Sequence, residues 1–103
     1  MPSTNQAGVY SATLAYLNAV AAAGSDAAMA AVPAMRRASP IQDPLFGALT
    51  VRPDGRAVHA MHLFRVKRPE ESRGPWDTYA LVQTVPGEQA FRPMAEGGCA
   101  LVK

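Results

Sequence analysis

The pattern of apolar and polar positions changes character near the middle of the chain. From Gln6 to Ala23 no residue is charged, and Val9, Tyr10, Leu14, Leu17, Val20 and Ala21 recur at helical spacing. The spacing predicts a helix over Gln6–Ala23 with a broad apolar face and an opposite face of Ala, Ser, Thr and Asn. A helix with water on one side normally carries charge there. Two readings stay open at this stage: a mild, alanine-rich helix, or a helix whose cover lies in another part or another chain. Gly24 supplies a stop, and Ser25 and Asp26, the latter the first charged residue, offer a new N-cap. A second helix is predicted over Asp26–Ala38, with Met29, Val32 and Met35 facing the core. Pro33 should kink it or shorten its first part. Arg36 and Arg37 suit the negative end of its dipole and read as a solvated helix end.

Beyond Ala38 the period shifts toward two. "SPIQDPLFG" reads as a loop, "ALTVR" as a short strand, and "PDG" as a turn in which Gly55 takes the positive-φ position. "AVHAMHLFRV" is the strongest strand. One face carries Val58, Ala60, His62, Phe64 and Val66, the other His59, Met61, Leu63 and Arg65. Both faces are largely apolar, which predicts a sheet interior rather than an edge. "KRPEESRGPW" is a polar loop with Glu70 and Glu71 solvated and Trp76 anchoring it by packing. "DTYALVQTV" is a further strand, and "PGEQAFRPMAEGG" is irregular with at most one short helical turn. The class is therefore α/β, or α+β for this segment in isolation: two N-terminal helices, a strand and turn, and an antiparallel strand pair.

Composition narrows the function classes. With 49% hydrophobic residues the chain is not disordered, and 103 residues make one small domain with a thin margin for a core. Ten basic and eight acidic residues are mixed after position 51, and aromatics are 7%, so there is neither a basic face nor a stacking platform for nucleic acid. The opening "MPSTNQ" has no positively charged region and the apolar stretch after it carries Tyr, Asn, Ser and Thr, so it reads as neither a signal peptide nor a membrane span.

The candidate chemistry is sparse. His59 and His62 are three apart, which on one strand points them to opposite faces, so they should not share a metal. Cys99 alone does not complete a zinc set, and "GGCALVK" offers nothing to activate it as a nucleophile paired with either histidine. It is a free thiol or one half of a disulfide whose partner lies outside the chain. No paired acids and no phosphate loop stand out. The expectation is no catalytic residue, no metal and no cofactor.

Two stretches then carry a family resemblance. "AGVYSATLAYLNAVAAAGS" is followed by "GALTVRPDGRAVHAMHLFRVKRPEESRGPWDTYALVQTVPGEQAFRPMAEGGCALVK". Together they resemble the C-terminal end of the periplasmic substrate-binding proteins of ABC transporters, of the branched-chain amino-acid (leucine/isoleucine/valine) type. The resemblance runs from about Gln6 to Lys103. It rests on the spacing of Asp54-Gly55-Arg56, Val58-His59, Met61, Leu63, Val66-Lys67, Pro69, Glu71-Ser72 and Gly74-Pro75-Trp76-Asp77, then "PGEQAFRP" and a late cysteine. "VPGEQAF" is a mild variant, His62 stands where an aromatic residue is common, and Pro33 interrupts a helix usually kept whole.

The resemblance implies a two-lobe fold with the ligand in the cleft, of which this is the last part. Residues 1–45 would be the helical part of one lobe, 46–57 a hinge crossover strand and turn, and 58–103 the strands and tail of the other lobe. It implies a periplasmic protein that captures amino acids or small carboxylates, aromatic ones among them, and delivers them to a membrane permease, with no enzymatic activity. The positions nearest the ligand would be Gln6 and Tyr10, Tyr10 matching a tyrosine common in the family. The alternative is an independent small α+β module for dimerisation or protein interaction. From composition as well as from the resemblance, the uncharged helix and the apolar strand lead to the expectation that the isolated chain self-associates.

Overall fold

The computed structural model describes residues 3–102; residues 1, 2 and 103 of the lobe bounds anticipated above lie outside them. Helix α1 (Thr4–Ala23) and helix α2 (Ala28–Arg37) lead into an antiparallel three-stranded meander, β1 (Ile41–Asp43), β2 (Gly47–Val51) and β3 (Ala57–Val58). A separate two-stranded ribbon follows, β4 (Met61–Val66) against β5 (Tyr79–Val85), then the one-turn helix α3 (Gly87–Ala90) and a 3-10 turn over Met94–Gly97. The mixed helix-and-strand class is as the periodicity predicts.

α1 starts two residues earlier than the spacing indicates and ends where Gly24 turns left-handed at φ 64°. Its buried face differs from the predicted one. Ser11 and Ala19 are its buried residues, with Ala15 half-buried between them, while Val9, Tyr10 and Leu17 are exposed. The spacing of four places the small residues in one row, and a row of small side chains lets another backbone approach closely. α2 meets α1 through Ala31 and Ala34, both buried. Met29 and Val32, expected in the core, point away from it, Met29 at 88% exposure. α2 also begins at Ala28 rather than Asp26. Its cap is the Ala27 backbone, because the Ser25 hydroxyl accepts the Ala27 N–H at 3.2 Å in a local turn. Pro33 sits inside the helix, which loses its first two anticipated residues and runs on through the proline to Arg37. Arg36 is not merely solvated: it donates to the Pro53 carbonyl at 2.8 Å and ties the end of α2 to the β2–β3 turn.

The predicted loop "SPIQDPLFG" contains β1, paired Ile41 to Leu49 and Asp43 to Gly47 across a tight turn. The β2–β3 turn forms as expected, with Gly55 at φ 82°, its N–H donating to the Arg52 carbonyl at 2.9 Å. The long strand "AVHAMHLFRV" is broken. Ala57 and Val58 pair with β2, His59 and Ala60 lie in neither strand, and Met61 onward pairs with β5. One extended stretch thus serves two sheets, and its uniform apolarity hides the point of transfer. β4 is not a sheet interior: β5 is its only partner among the described residues, and all six of its residues are exposed. Trp76 does not anchor its loop by packing either, being 71% exposed. Ion pairs hold that loop instead. Glu71 takes both guanidinium nitrogens of Arg65 at 2.7 and 2.6 Å, and Lys67 pairs with Asp77.

The buried apolar residues among those described are Ala19, Ala31, Ala34 and Leu49. The molecule measures 53 × 32 × 18 Å with a radius of gyration of 16.8 Å, where a compact chain of this length reaches about 13 Å. Its accessible surface of 7657 Å2 exceeds by about 2,000 Å2 that of a typical monomer of the same mass.

Two outcomes follow from this packing. Leu49 is the one large side chain in the small core, so Leu49→Ala should cost about 2–3 kcal/mol in urea unfolding, while Met29→Ala should change stability by less than about 0.5 kcal/mol. Hydrogen bonds from Arg65 and the Arg68 N–H lower the Glu71 pKa from its ordinary 4.5 to about 2. A carboxylate lowered on folding contributes stability above its unfolded pKa, and that contribution is lost as pH falls through the folded value. The unfolding midpoint of the wild type should therefore exceed that of Glu71→Gln above pH 4.5 and converge with it near pH 2, and added salt should narrow the gap because the pair faces water.

Candidate functional site

The N-terminal half of α1 and the β1–β2 turn meet around one buried carboxylate. Asp43 ends β1. One of its oxygens accepts the Leu45 and Phe46 N–H groups at 2.8 and 2.9 Å, and the other accepts the Ser11 hydroxyl from α1. Burial pushes the Asp43 carboxyl up, but the Ser11 hydroxyl and the Phe46 and Leu45 N–H groups outweigh it. Nearby His59 adds to the same effect, and the carboxyl is held below its ordinary range. Both Ser11 and Asp43 are buried, and each satisfies the other. The turn Pro44–Phe46 is thereby fixed against α1. Sequence reasoning passed over both residues. The Asp-Pro-Leu-Phe-Gly run is an Asx-turn signature that could have flagged Asp43, but nothing local marks Ser11, which lies 32 positions away.

Gln6 and Tyr10, the residues expected nearest a ligand, lie one turn apart on the exposed side of α1. Together with Ala7 and with Leu45 from the fixed turn they line a shallow concavity, and with Asn5 and Val9 a second one on the other side. Tyr10 is 54% exposed. Gln6 is partly occupied, its side-chain carbonyl accepting the Ser3 N–H at 2.6 Å at the start of the helix. A deeper hollow of about 350 Å3 opens between α1 and the meander, bordered by Gly8, Ser11, Met35, Leu49, Val51 and His59.

The two histidines go to different places. The His59 ring lies against Phe46 at 4.4 Å and Phe91 at 5.5 Å between ring centres, with its Nδ1 2.8 Å from the Ala60 carbonyl. His62 Nδ1 lies 3.0 Å from the Thr84 hydroxyl across the ribbon. Cys99 is a half-buried free thiol. Among the described residues no three His, Cys, Asp or Glu side chains are grouped as metal ligands would be, and no helix is long and apolar enough to cross a membrane.

The sequence matches the family model for periplasmic binding proteins over residues 1–74. No curated protein sequence matches. Two crystal structures superpose on the whole chain. One is a periplasmic binding protein from Burkholderia mallei, 44% identical with a TM-score of 0.91. The other is a branched chain amino acid ABC transporter periplasmic ligand-binding protein from Burkholderia xenovorans LB400, 46% identical with a TM-score of 0.87. The chain spans 27% of the length of each. A family match over most of the sequence and a backbone shared from end to end with these two proteins lead to one conclusion: the chain belongs to the periplasmic binding protein family.

Proposed function

We propose that the chain works as the lobe-joining part of an extracytoplasmic solute-binding protein. Its solutes are amino acids or small carboxylates, aromatic ones among them, handed to the membrane permease of an ABC transporter from the periplasm. The observation that carries this reading is the full-length superposition on the Burkholderia xenovorans ligand-binding protein at 46% identity. Residues 1–45 then belong to one lobe, 46–57 make the hinge crossover, and 58–103 belong to the other lobe. The change of sheet partner falls just past this boundary, at His59–Ala60, with Val58 still paired to Thr50; it supports a crossover in this stretch, because a strand leaving one sheet for another is what a lobe crossover requires. Capture needs a cleft that closes and excludes water, and no bond is made or broken, so no enzymatic step enters.

In this reading Tyr10 faces the cleft, supported by its exposure on the first turns of α1 beside Leu45. Gln6 stands beside it and divides its side chain between the cleft and the helix start. The surface surplus is the area the remaining lobe segments cover. A second reading, a free-standing dimerising module, would have a second copy cover the same area.

The test is a chimera in which this chain replaces the matching 27% of the Burkholderia xenovorans protein. The chimera should bind at least one member of a panel of amino acids and small carboxylates by calorimetry. A folded chimera that binds none overturns the reading. Within a binding chimera, Tyr10→Ala should weaken affinity by about tenfold, or about 1.4 kcal/mol, and Gln6→Ala should lower the melting temperature as well as affinity. The isolated chain should bind the panel weakly or not at all. It should also self-associate at micromolar concentration in light scattering, since even several hundred Å2 of apolar contact is worth several kcal/mol before the entropic cost of association, at about 25 cal/mol per Å2. A cooperative, strictly monomeric species would show that the chain covers its own core, and would favour a free-standing protein-interaction module over both the lobe-joining part and the dimer.

A further inference from the structure

The described residues form two bodies joined at His59–Ala60. One holds α1, α2 and the β1–β3 meander, and the other holds the β4–β5 ribbon with α3. The contacts between them converge on the junction. Phe46, from the β1–β2 turn, stacks on the His59 ring at 4.4 Å and a 30° tilt. Phe91, just past α3, meets the other side edge-on at 5.5 Å and 70°. A carbonyl can only accept, so the 2.8 Å contact to the Ala60 carbonyl assigns the Nδ1 proton to His59 and holds the ring in place. The Arg56 guanidinium lies 6.0 Å from the centre of the Phe91 ring, and Arg52 donates to the Arg92 carbonyl at 3.1 Å. At the base of α3, Gly87 comes so close that a side chain there would collide: a Cβ would sit 2.7 Å from the Val58 side chain and 2.8 Å from the His59 carbonyl.

We propose that Phe46, His59 and Phe91 form an aromatic latch that sets the angle between the two bodies, with Gly87 the point of close approach that lets it shut. Each ring comes from a different segment, and at this angle Phe46 and Phe91 both meet His59. Aromatic contacts of this kind are favourable beyond the area they bury, and a ligand-free hinge whose end states lie close in free energy is biased by a few of them. His59 is thus a positioning residue. Resting on the solute-binding reading, the latch would also tune ligand affinity through the open–closed balance of the lobes, but its effect on the angle does not depend on that reading.

The experiment measures the angle directly, without ligand. Spin labels are placed at Met29→Cys in α2 and Trp76→Cys in the ribbon loop, both exposed, in a Cys99→Ser background and diluted into an excess of unlabelled chain. Pulsed-dipolar spectroscopy should give one narrow distance. His59→Ala should lose it and give a broad distribution, while His59→Phe, which keeps a ring between the two phenyls, should restore it. Should His59→Ala fail to fold by circular dichroism, Phe91→Ala, outside every strand and helix, is the deciding variant. Gly87→Val should shift the mean distance by wedging α3 away from β3. An unchanged distance and width in the folded His59→Ala or Phe91→Ala variant overturns the latch. That result leaves the solute-binding reading standing, just as a chimera that binds no solute leaves the latch standing.

Discussion

The buried carboxylate of Asp43 is the interaction on which the rest of the arrangement depends. It joins the helical layer to the meander through the Ser11 hydroxyl, and it shapes the β1–β2 turn through two backbone N–H groups. The same turn presents Leu45 beside Tyr10 and Phe46 against His59. One buried anion therefore sets the rim of the candidate cleft and one wall of the junction between the two bodies. A buried carboxylate is tolerated only when donors replace its lost water, and three do so here.

The second constraint is how the helices pack. Small residues along α1 and α2 let the two backbones approach closely, with Ala19, Ala31 and Ala34 buried. Close approach of this kind buries little area per residue. The larger apolar side chains, Val9, Leu17 and Met29 on the helices and Leu63, Phe64 and Val66 on the ribbon, are left at the surface. The extended shape, the surplus of accessible surface and the absence of any large side chain sealed completely from water among the described residues are one fact seen three ways. A chain of this composition does not cover itself.

The ribbon is held differently. With both faces exposed, its order comes from backbone pairing and from ion pairs at its loop, Arg65 with Glu71 and Lys67 with Asp77. The bulge between Leu63 and Phe64 shifts the register midway along it. Such pairs contribute little each in water, but they fix a loop that Trp76 does not pin.

The sequence by itself determined the local elements: α1 with its stop at Gly24, the span of α2 to within two residues, the turn at Gly55, and β2 and β5. These are set by period, by glycine's access to positive φ and by turn chemistry, all of which act within a few residues. It also marked the family, because the run from Asp54 to Asp77 keeps its spacing in the text of the chain. Only the tertiary structure decided which side of α1 is buried. Apolarity alone favoured Val9, Tyr10 and Leu17, and the close approach of a second backbone favoured Ser11 and Ala19 instead. It decided that the apolar stretch from Ala57 to Val66 is two strands in two sheets, since side-chain pattern does not say which neighbour a strand pairs with. It brought Ser11 to Asp43, and Phe46 and Phe91 to His59, over separations of 13 to 32 residues. Partners that far apart are chosen by how whole elements pack, and no local rule in the sequence encodes that choice.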